Sequence, residues 1–217
     1  TILHICDGMP FAIALSGALI ASGVSRSAVA TKFTSIDLAA LEKRFPEYEY
    51  SSILPCLEVS FDALERASGT GVECLESMVI FPAGALIPKQ TLVLFWQQKL
   101  SLDEATCSFE LARLCNFSLV RTEEEPGMVS LHQLVHAYLV QRVPDSIPLH
   151  EELLNAYSSI ASSDWINGPQ DGYYYSNLVY HLLAARGIVP TGNLLVGSPS
   201  WMREKIKIEG NALSYLN

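Results

Sequence analysis

Two histidines four residues apart, His132 and His136, stand in the stretch 129–142, VSLHQLVHAYLVQR. On a helix this spacing puts both rings on one face, as in zinc hydrolases. Gln133 occupies the place where such enzymes carry their glutamate general base, and no third ligand is evident, so no metal is expected. A second chemistry is open to His132 if it begins the helix. There, unpaired backbone N–H groups and the helix dipole favour an anion, and the ring could sense a phosphate. A histidine that merely caps or packs at a helix end explains the same residues. On this stretch alone both readings stand.

Other catalytic patterns are missing. The chain has no G-x-x-x-x-G-K-[ST], so it cannot cradle a nucleoside triphosphate in that way, and no G-x-S-x-G elbow for a hydrolase serine. Five cysteines, Cys6, Cys56, Cys74, Cys107 and Cys115, form no C-x-x-C pair and read as small buried hydrophobes of a reduced, intracellular protein. The cluster Tyr173-Tyr174-Tyr175 reads as core with a hydrogen-bonded rim before it reads as a contact surface.

The elements that position these residues follow from pattern and punctuation. With 217 residues and 49% hydrophobic content, the chain can fill a substantial core. The first residues fall inside an apolar pattern, as expected for a fragment of a longer protein. The apolar run 9–21 is too short for a membrane span of ~20 residues. Pro10 starts a helix through Ile20 that Gly23 stops. Short helices follow at 27–33 and 36–45, and Pro46 ends the second. The segment 50–68 is amphipathic through Leu57, Phe61 and Leu64; Gly69 and Gly71 should break the chain before a short helix at 72–81.

Pro82-Ala83-Gly84 makes a turn, and Pro88 opens a helix with Leu92, Phe95 and Trp96 on its apolar face. Ser101 with Glu104 reads as a capping box for a helix to about Cys115, burying Phe109, Leu111, Leu114 and Cys115. Strands are expected at 117–122 and 128–130 around the turn Glu125-Pro126-Gly127. The His132 helix then buries Leu134, Val135, Tyr138 and Leu139.

Residues 144–148 read as a linker, and 149–160 as a helix through Leu153, Leu154, Tyr157 and Ile160. Gly168-Pro169 breaks the chain, Asp171-Gly172 caps a helix at 173–186, and Gly187 ends it. Residues 192–197 look like a loop. Ser198-Pro199 starts a last helix through Trp201, Lys205 and Ile206, and Gly210 separates it from 212–216.

The expected architecture is mainly α: a small helical bundle (1–50), a winged-helix domain with a short β-hairpin (51–143), and the start of a second helical domain (144–217). A winged helix raises DNA binding as a function. The net charge of −9, with Asp103, Glu104 and Glu110 on the candidate recognition helix and Glu123, Glu124 and Glu125 on the wing, repels a phosphate backbone. Neither nucleic acid nor a membrane surface is therefore an expected partner.

Three stretches in fixed order also carry a resemblance. Cys6-Asp7-Gly8-Met9-Pro10-Phe11-Ala12-Ile13 resembles the G-L-P-L-A motif of NB-ARC signalling ATPases, the STAND-class type of apoptotic and plant disease-resistance proteins. Residues 79–96, with Phe81-Pro82, Ile87-Pro88 and Leu94-Phe95-Trp96, are similar to that family's F-P-x-x-x-x-I-P-x-x-x-L-x-x-L-W segment. Leu131-His132-Gln133-Leu134-Val135 resembles the M-H-D motif, L-H-D in some members. Residues 171–186 and 201–216 are similar to the second helical domain of members that end in a WD-repeat propeller.

The resemblance implies a regulatory module and not an enzyme in itself. An upstream P-loop domain would bind ADP or ATP, with Pro10 packing near the adenine, Gly8 and Met9 in the same motif, and His132 contacting the ADP β-phosphate. Exchange for ATP would release the winged helix and permit self-oligomerisation in cytoplasmic cell-death or innate-immune signalling. Gln133 departs from the family's aspartate: it keeps hydrogen bonding and drops the charge. Without the resemblance, a helical adaptor that binds proteins through apolar faces remains the alternative.

Overall fold

In the computed structural model, which describes residues 6, 8–49, 53–161 and 165–210, the chain is mainly α-helical. Asp7 and the helix expected at 212–216 lie outside the described residues. The first helices are α1 (Pro10–Ala21), α2 (Arg26–Ser35), α3 (Leu38–Arg44), α4 (Leu54–Ala67) and α5 (Gly69–Ser77). After strand β1 (Ile87–Pro88) come α6 (Lys89–Leu100) and α7 (Glu104–Asn116). Strands β2 (Val120–Thr122) and β3 (Met128–Leu131) precede α8 (Gln133–Arg142). The chain continues through α9 (Ile147–Ile160), α10 (Tyr174–Arg186), α11 (Ile188–Gly197) and α12 (Pro199–Glu209). The strands form a small sheet in the order β1-β3-β2. The fold separates into two units: Thr1–Ala85, Ser108–Glu124 and Val129–Pro144 in the first, and Leu86–Cys107, Glu125–Met128 and Asp145–Asn217 in the second.

In the first unit, caps mark the helix starts. Ser25 accepts from the Ala28 N–H at 3.2 Å and Asp37 from the Ala40 N–H at 3.1 Å, while Pro10 and Pro55 sit in the first turns of α1 and α4. Helix α4 packs against α1, α2, α3 and α5. Leu57, Phe61 and Leu64 of α4 are buried, as are Leu15 and Leu19 of α1 and Val29 of α2. The glycines expected to break the chain lie inside α5. Ser68 caps that helix at the Gly71 N–H, 2.9 Å away. A Cβ on Gly71 would stand 2.9 Å from Glu110 Oε2, so this glycine serves close approach and not flexibility. Helix α5 stops at Ser77, and a 3₁₀ turn (Met78–Ile80) completes the expected 72–81 segment.

Strands β2 and β3 pair antiparallel, with Val120 opposite Leu131 and Arg121 opposite Ser130. Helix α8 buries Leu134, Val135, Tyr138 and Leu139, as its spacing requires. The Tyr138 ring meets Phe45 and Phe61 at 4.8 and 4.9 Å, and its hydroxyl donates to Glu58 Oε1 at 2.5 Å. Glu58 also pairs with Arg44. Arg142 donates to Glu76 at 2.7 Å and lies over the Phe61 ring. On α7 the expected core position Phe109 is 61% exposed, and Glu110 is buried in its place. Glu110 accepts from the Ser68 hydroxyl at 3.0 Å and pairs with Arg113, which makes its burial tolerable.

In the second unit, the capping box expected at Ser101 is not formed. Ser101 has φ +55° and ends α6, so it cannot also open α7; Asp103 caps the Thr106 N–H at 2.7 Å instead. The linker expected at 144–148 is partly the first turn of α9, with Pro148 in it, and Ile160 at the far end is 50% exposed. Helix α9 packs on α6 and α10, and α10 on α11 and α12. The loop expected at 192–197 is helical: packing of α11 on both α10 and α12 overrides two glycines at about 1 kcal/mol each.

The three tyrosines are core. Tyr173, Tyr174 and Tyr175 are at most 4% exposed, and their hydroxyls meet His181, the Trp165 carbonyl and the Ile166 carbonyl. Asp171 Oδ1 accepts from the Tyr173 and Tyr174 N–H groups and its Oδ2 from Thr91, as the expected cap of α10. His150 and His181 face each other, Nδ1 to Nδ1, at 2.9 Å. Burial pushes His150 down to about 4; burial and then the neighbouring imidazole push His181 down to about 3.

Gly168 lies where a Cβ would fall 2.0 Å from the Tyr174 ring. Gly168→Ala is expected to lower stability by about 1–3 kcal/mol through overpacking, read as a lower denaturant midpoint. Gly192→Ala, on α11 with open space around it, should raise stability by about 0.5–1 kcal/mol. A pH series gives a second check. His150 and His181 have folded-state pKa values below the unfolded value near 6.5, so the unfolded state takes up more protons. Their contribution is complete above pH 6.5 and is lost as the pH falls below it. The thermal midpoint should drop from pH 6.5 to pH 5, and a His150→Leu/His181→Leu double variant should show a shallower drop.

Candidate functional site

The His132 ring is held by its place at the start of α8, by a hydrogen bond and by a ring stack, all in the first unit. Backbone φ −62° and ψ +136° place His132 just outside α8, as an N-cap. Its carbonyl accepts from the Val135 and His136 N–H groups at 2.9 and 3.0 Å. Its Nδ1 accepts from the Leu134 N–H at 3.1 Å. Because Nδ1 must present a lone pair to that N–H, the neutral ring carries its proton on Nε2. The ring also stacks on Phe11 of α1, centroids 4.0 Å apart and planes 8° from parallel. Burial, and then the nearby Arg121 guanidinium, hold the imidazole below the usual histidine range. At neutral pH the ring is therefore an uncharged Nε2–H donor in a fixed orientation.

His136 has a separate task. Its Nε2–H donates to the Val79 carbonyl at 3.1 Å, and burial lowers its pKa despite main-chain hydrogen bonds that raise it. The two histidines of the H-x-x-x-H pattern are thus each engaged with different backbone groups.

Pro10 and His132, 122 positions apart in the sequence, line one open pocket of about 440 Å³. Phe11 and Ala14 of α1, Cys115, Ser118, and Val120, Arg121 and Thr122 of strand β2 also line it. Gly8 and Met9 are not among the lining residues. They make the approach to α1: Gly8 turns the chain at φ +68°, a conformation glycine adopts without strain, and the Met9 N–H donates to the Cys6 carbonyl at 2.9 Å. Pro10 itself is exposed, and it opens α1 at a position where a missing N–H costs nothing.

Two residues of this pocket are not singled out by the sequence reading. Phe11 looks like one more apolar residue of a helix that is apolar nearly all round, and its stacking on His132 has no local signal. Arg121 reads as one charge at the start of an acidic hairpin. In the fold it is exposed on β2 and lines the pocket, and its side chain makes no ion pair or hydrogen bond with the described residues. The pocket thus combines an aromatic and proline wall, a neutral N–H donor and a guanidinium, a set suited to an anion attached to a flat apolar group.

No family model matches the chain. Over 224 aligned residues it is 23% identical to apoptotic protease-activating factor 1 of Danio rerio, an alignment covering 98% of this chain. The chain spans 17% of the length of that protein. No helix among the described residues is long and apolar enough to cross a membrane. Along nearly its whole length, then, this mainly helical chain is distantly similar to one segment of apoptotic protease-activating factor 1.

Proposed function

We propose that the chain is the nucleotide-state sensor of an NB-ARC-like, STAND-type signalling ATPase, with a winged helix built around α4 to α8. The observation that carries this reading is the meeting of Pro10 and His132 in one pocket. These are the two residues that the motif resemblance assigns to ADP. The distant similarity to an apoptotic protease-activating factor supports the same class. In this reading a preceding P-loop domain holds ADP, Pro10 and Phe11 border the base side, and the Nε2–H of His132 donates to a phosphate oxygen. The chain supplies no phosphate-cradling loop of its own, so hydrolysis belongs to that other domain. ADP holds the closed form and its exchange for ATP releases the sensor for self-association, a two-state equilibrium biased by unequal affinity.

A second reading, a helical adaptor for other proteins, draws on Ile188 and Val189 at the start of α11, which are 81% and 74% exposed. One experiment separates the two. The parent polypeptide, including the segment ahead of Thr1, is purified and denatured, and its nucleotide is measured by anion exchange. The sensor reading expects near-stoichiometric ADP in the wild type.

Two substitutions then divide the roles of His132. His132→Ala removes both cap and donor. His132→Asn keeps a side chain able to cap α8 but removes the Nε2–H. His132→Asn is expected to melt within about 1 kcal/mol of wild type, to lose most of its ADP, and to oligomerise more readily. Nucleotide content equal to wild type in His132→Asn would overturn the sensor role, and a stable wild type without nucleotide would favour the adaptor.

A further inference from the structure

The pocket contains a charge that the motifs do not account for. His132 contributes a single neutral N–H, because its other nitrogen is occupied by the Leu134 N–H. A terminal phosphate carries close to two negative charges, and a lone neutral donor leaves them uncompensated. Arg121 is the cation that lines the same pocket. Its position is set by the hairpin: residue 121 is paired with Ser130 across the β2–β3 ladder, one pair in from Val120 and Leu131, and His132 follows Leu131 directly. The register therefore sets Arg121 on β2 beside the end of β3, where His132 follows as the N-cap of α8. The guanidinium is close enough to disfavour a proton on the imidazole.

Among the described residues, no carboxylate pairs with it. Glu123 takes the Ser130 hydroxyl, and Arg121 makes no ion pair with any described residue of a chain whose net charge is −9. In such a chain an arginine that pairs with no described carboxylate and lines a pocket already presenting an N–H donor is arranged for an external anion.

We propose that Arg121 is a second phosphate-contacting residue of this pocket and sets its preference for a nucleotide whose terminal phosphate reaches β2. The proposal rests on the nucleotide-sensor reading of the site. The planar guanidinium can take two phosphate oxygens at once, while His132 takes a third through Nε2–H. Division of labour follows: His132 fixes direction with a neutral donor, and Arg121 supplies the charge.

The test uses the parent polypeptide with its preceding domain, loaded with ADP. Release of ADP is followed after dilution into excess unlabelled nucleotide for wild type, Arg121→Gln, Arg121→Lys and His132→Asn. Arg121 is exposed, so its replacement should leave the melting temperature close to wild type. Arg121→Gln is expected to release ADP about tenfold faster or more, the scale of one charge-assisted contact. Arg121→Lys, which keeps the charge and loses the bidentate fork, should fall between Arg121→Gln and wild type. AMP, which lacks the second phosphate, should show no difference between wild type and Arg121→Gln.

The outcomes separate the two claims. Fast release from His132→Asn with wild-type release from Arg121→Gln would overturn the role of Arg121 and leave the sensor reading intact. Wild-type release from both variants, or a wild type that never holds ADP, would overturn both. Equal acceleration of AMP and ADP release by Arg121→Gln would also overturn the phosphate contact, since it would place the effect elsewhere on the nucleotide.

Discussion

Helix α8 begins on an imidazole, and much of the first unit depends on how that imidazole is spent. A serine or aspartate in the N-cap position would satisfy the same orphan N–H with less bulk. Histidine does it with Nδ1 and so leaves Nε2 as a donor of defined tautomer. The stacked Phe11 ring removes the remaining rotational freedom and ties the start of α8 to the start of α1. One side chain thereby joins two helix N-termini that are remote in sequence, and Pro10 comes to the same pocket as a consequence.

That arrangement needs a rigid base. Tyr138, two turns along α8 from the cap, supplies it by packing on Phe45 and Phe61 while its hydroxyl meets Glu58. The Tyr48 hydroxyl donates to the Leu134 carbonyl at 3.1 Å, one residue after the capped turn begins its climb. Polar contacts at buried tyrosines specify a single rotation of α8 about its axis, because a purely apolar stripe would accept several. The cap, the stack and the tyrosine bonds therefore fix three different degrees of freedom of one short helix.

The parts of this fold that were legible in the sequence were the locally coded ones. Pro10, Pro55 and Pro148 sit in first turns, Gly187 and Gly210 end helices with positive φ, and the α8 stripe buries the residues its spacing names. The misreadings share a cause, which is a local signal outvoted by a distant neighbour. Gly71 reads as a break until Glu110, 39 positions on, occupies the space where its side chain would be. Phe109 reads as core, yet Glu110 takes the inward place, where the Ser68 hydroxyl donates to its Oε1 and Arg113 pairs with it. The glycines of α11 are held helical by α10 and α12. For the candidate site, Pro10 and His132 were visible through motif order, whereas Phe11 and Arg121 gained meaning only once the chain had folded them onto the same pocket.

The energetics limit how much of a switch such a pocket can carry. Moving a two-state equilibrium from about 1:99 to 99:1 takes roughly 5.5 kcal/mol of differential affinity. A neutral hydrogen bond contributes about 0.5–1.5 kcal/mol and a charged one about 1.5–3 kcal/mol. A neutral imidazole alone therefore falls short by a wide margin, and even with a guanidinium beside it the pocket reaches only part of the total. Gln133, exposed and uncharged, adds no electrostatic lock of its own. In the sensor reading the remaining free energy must come from surface buried against the nucleotide-binding domain in one state and released in the other. The pocket then acts as the selective element, which tells one nucleotide from another, while the interface supplies most of the stability that the selection controls.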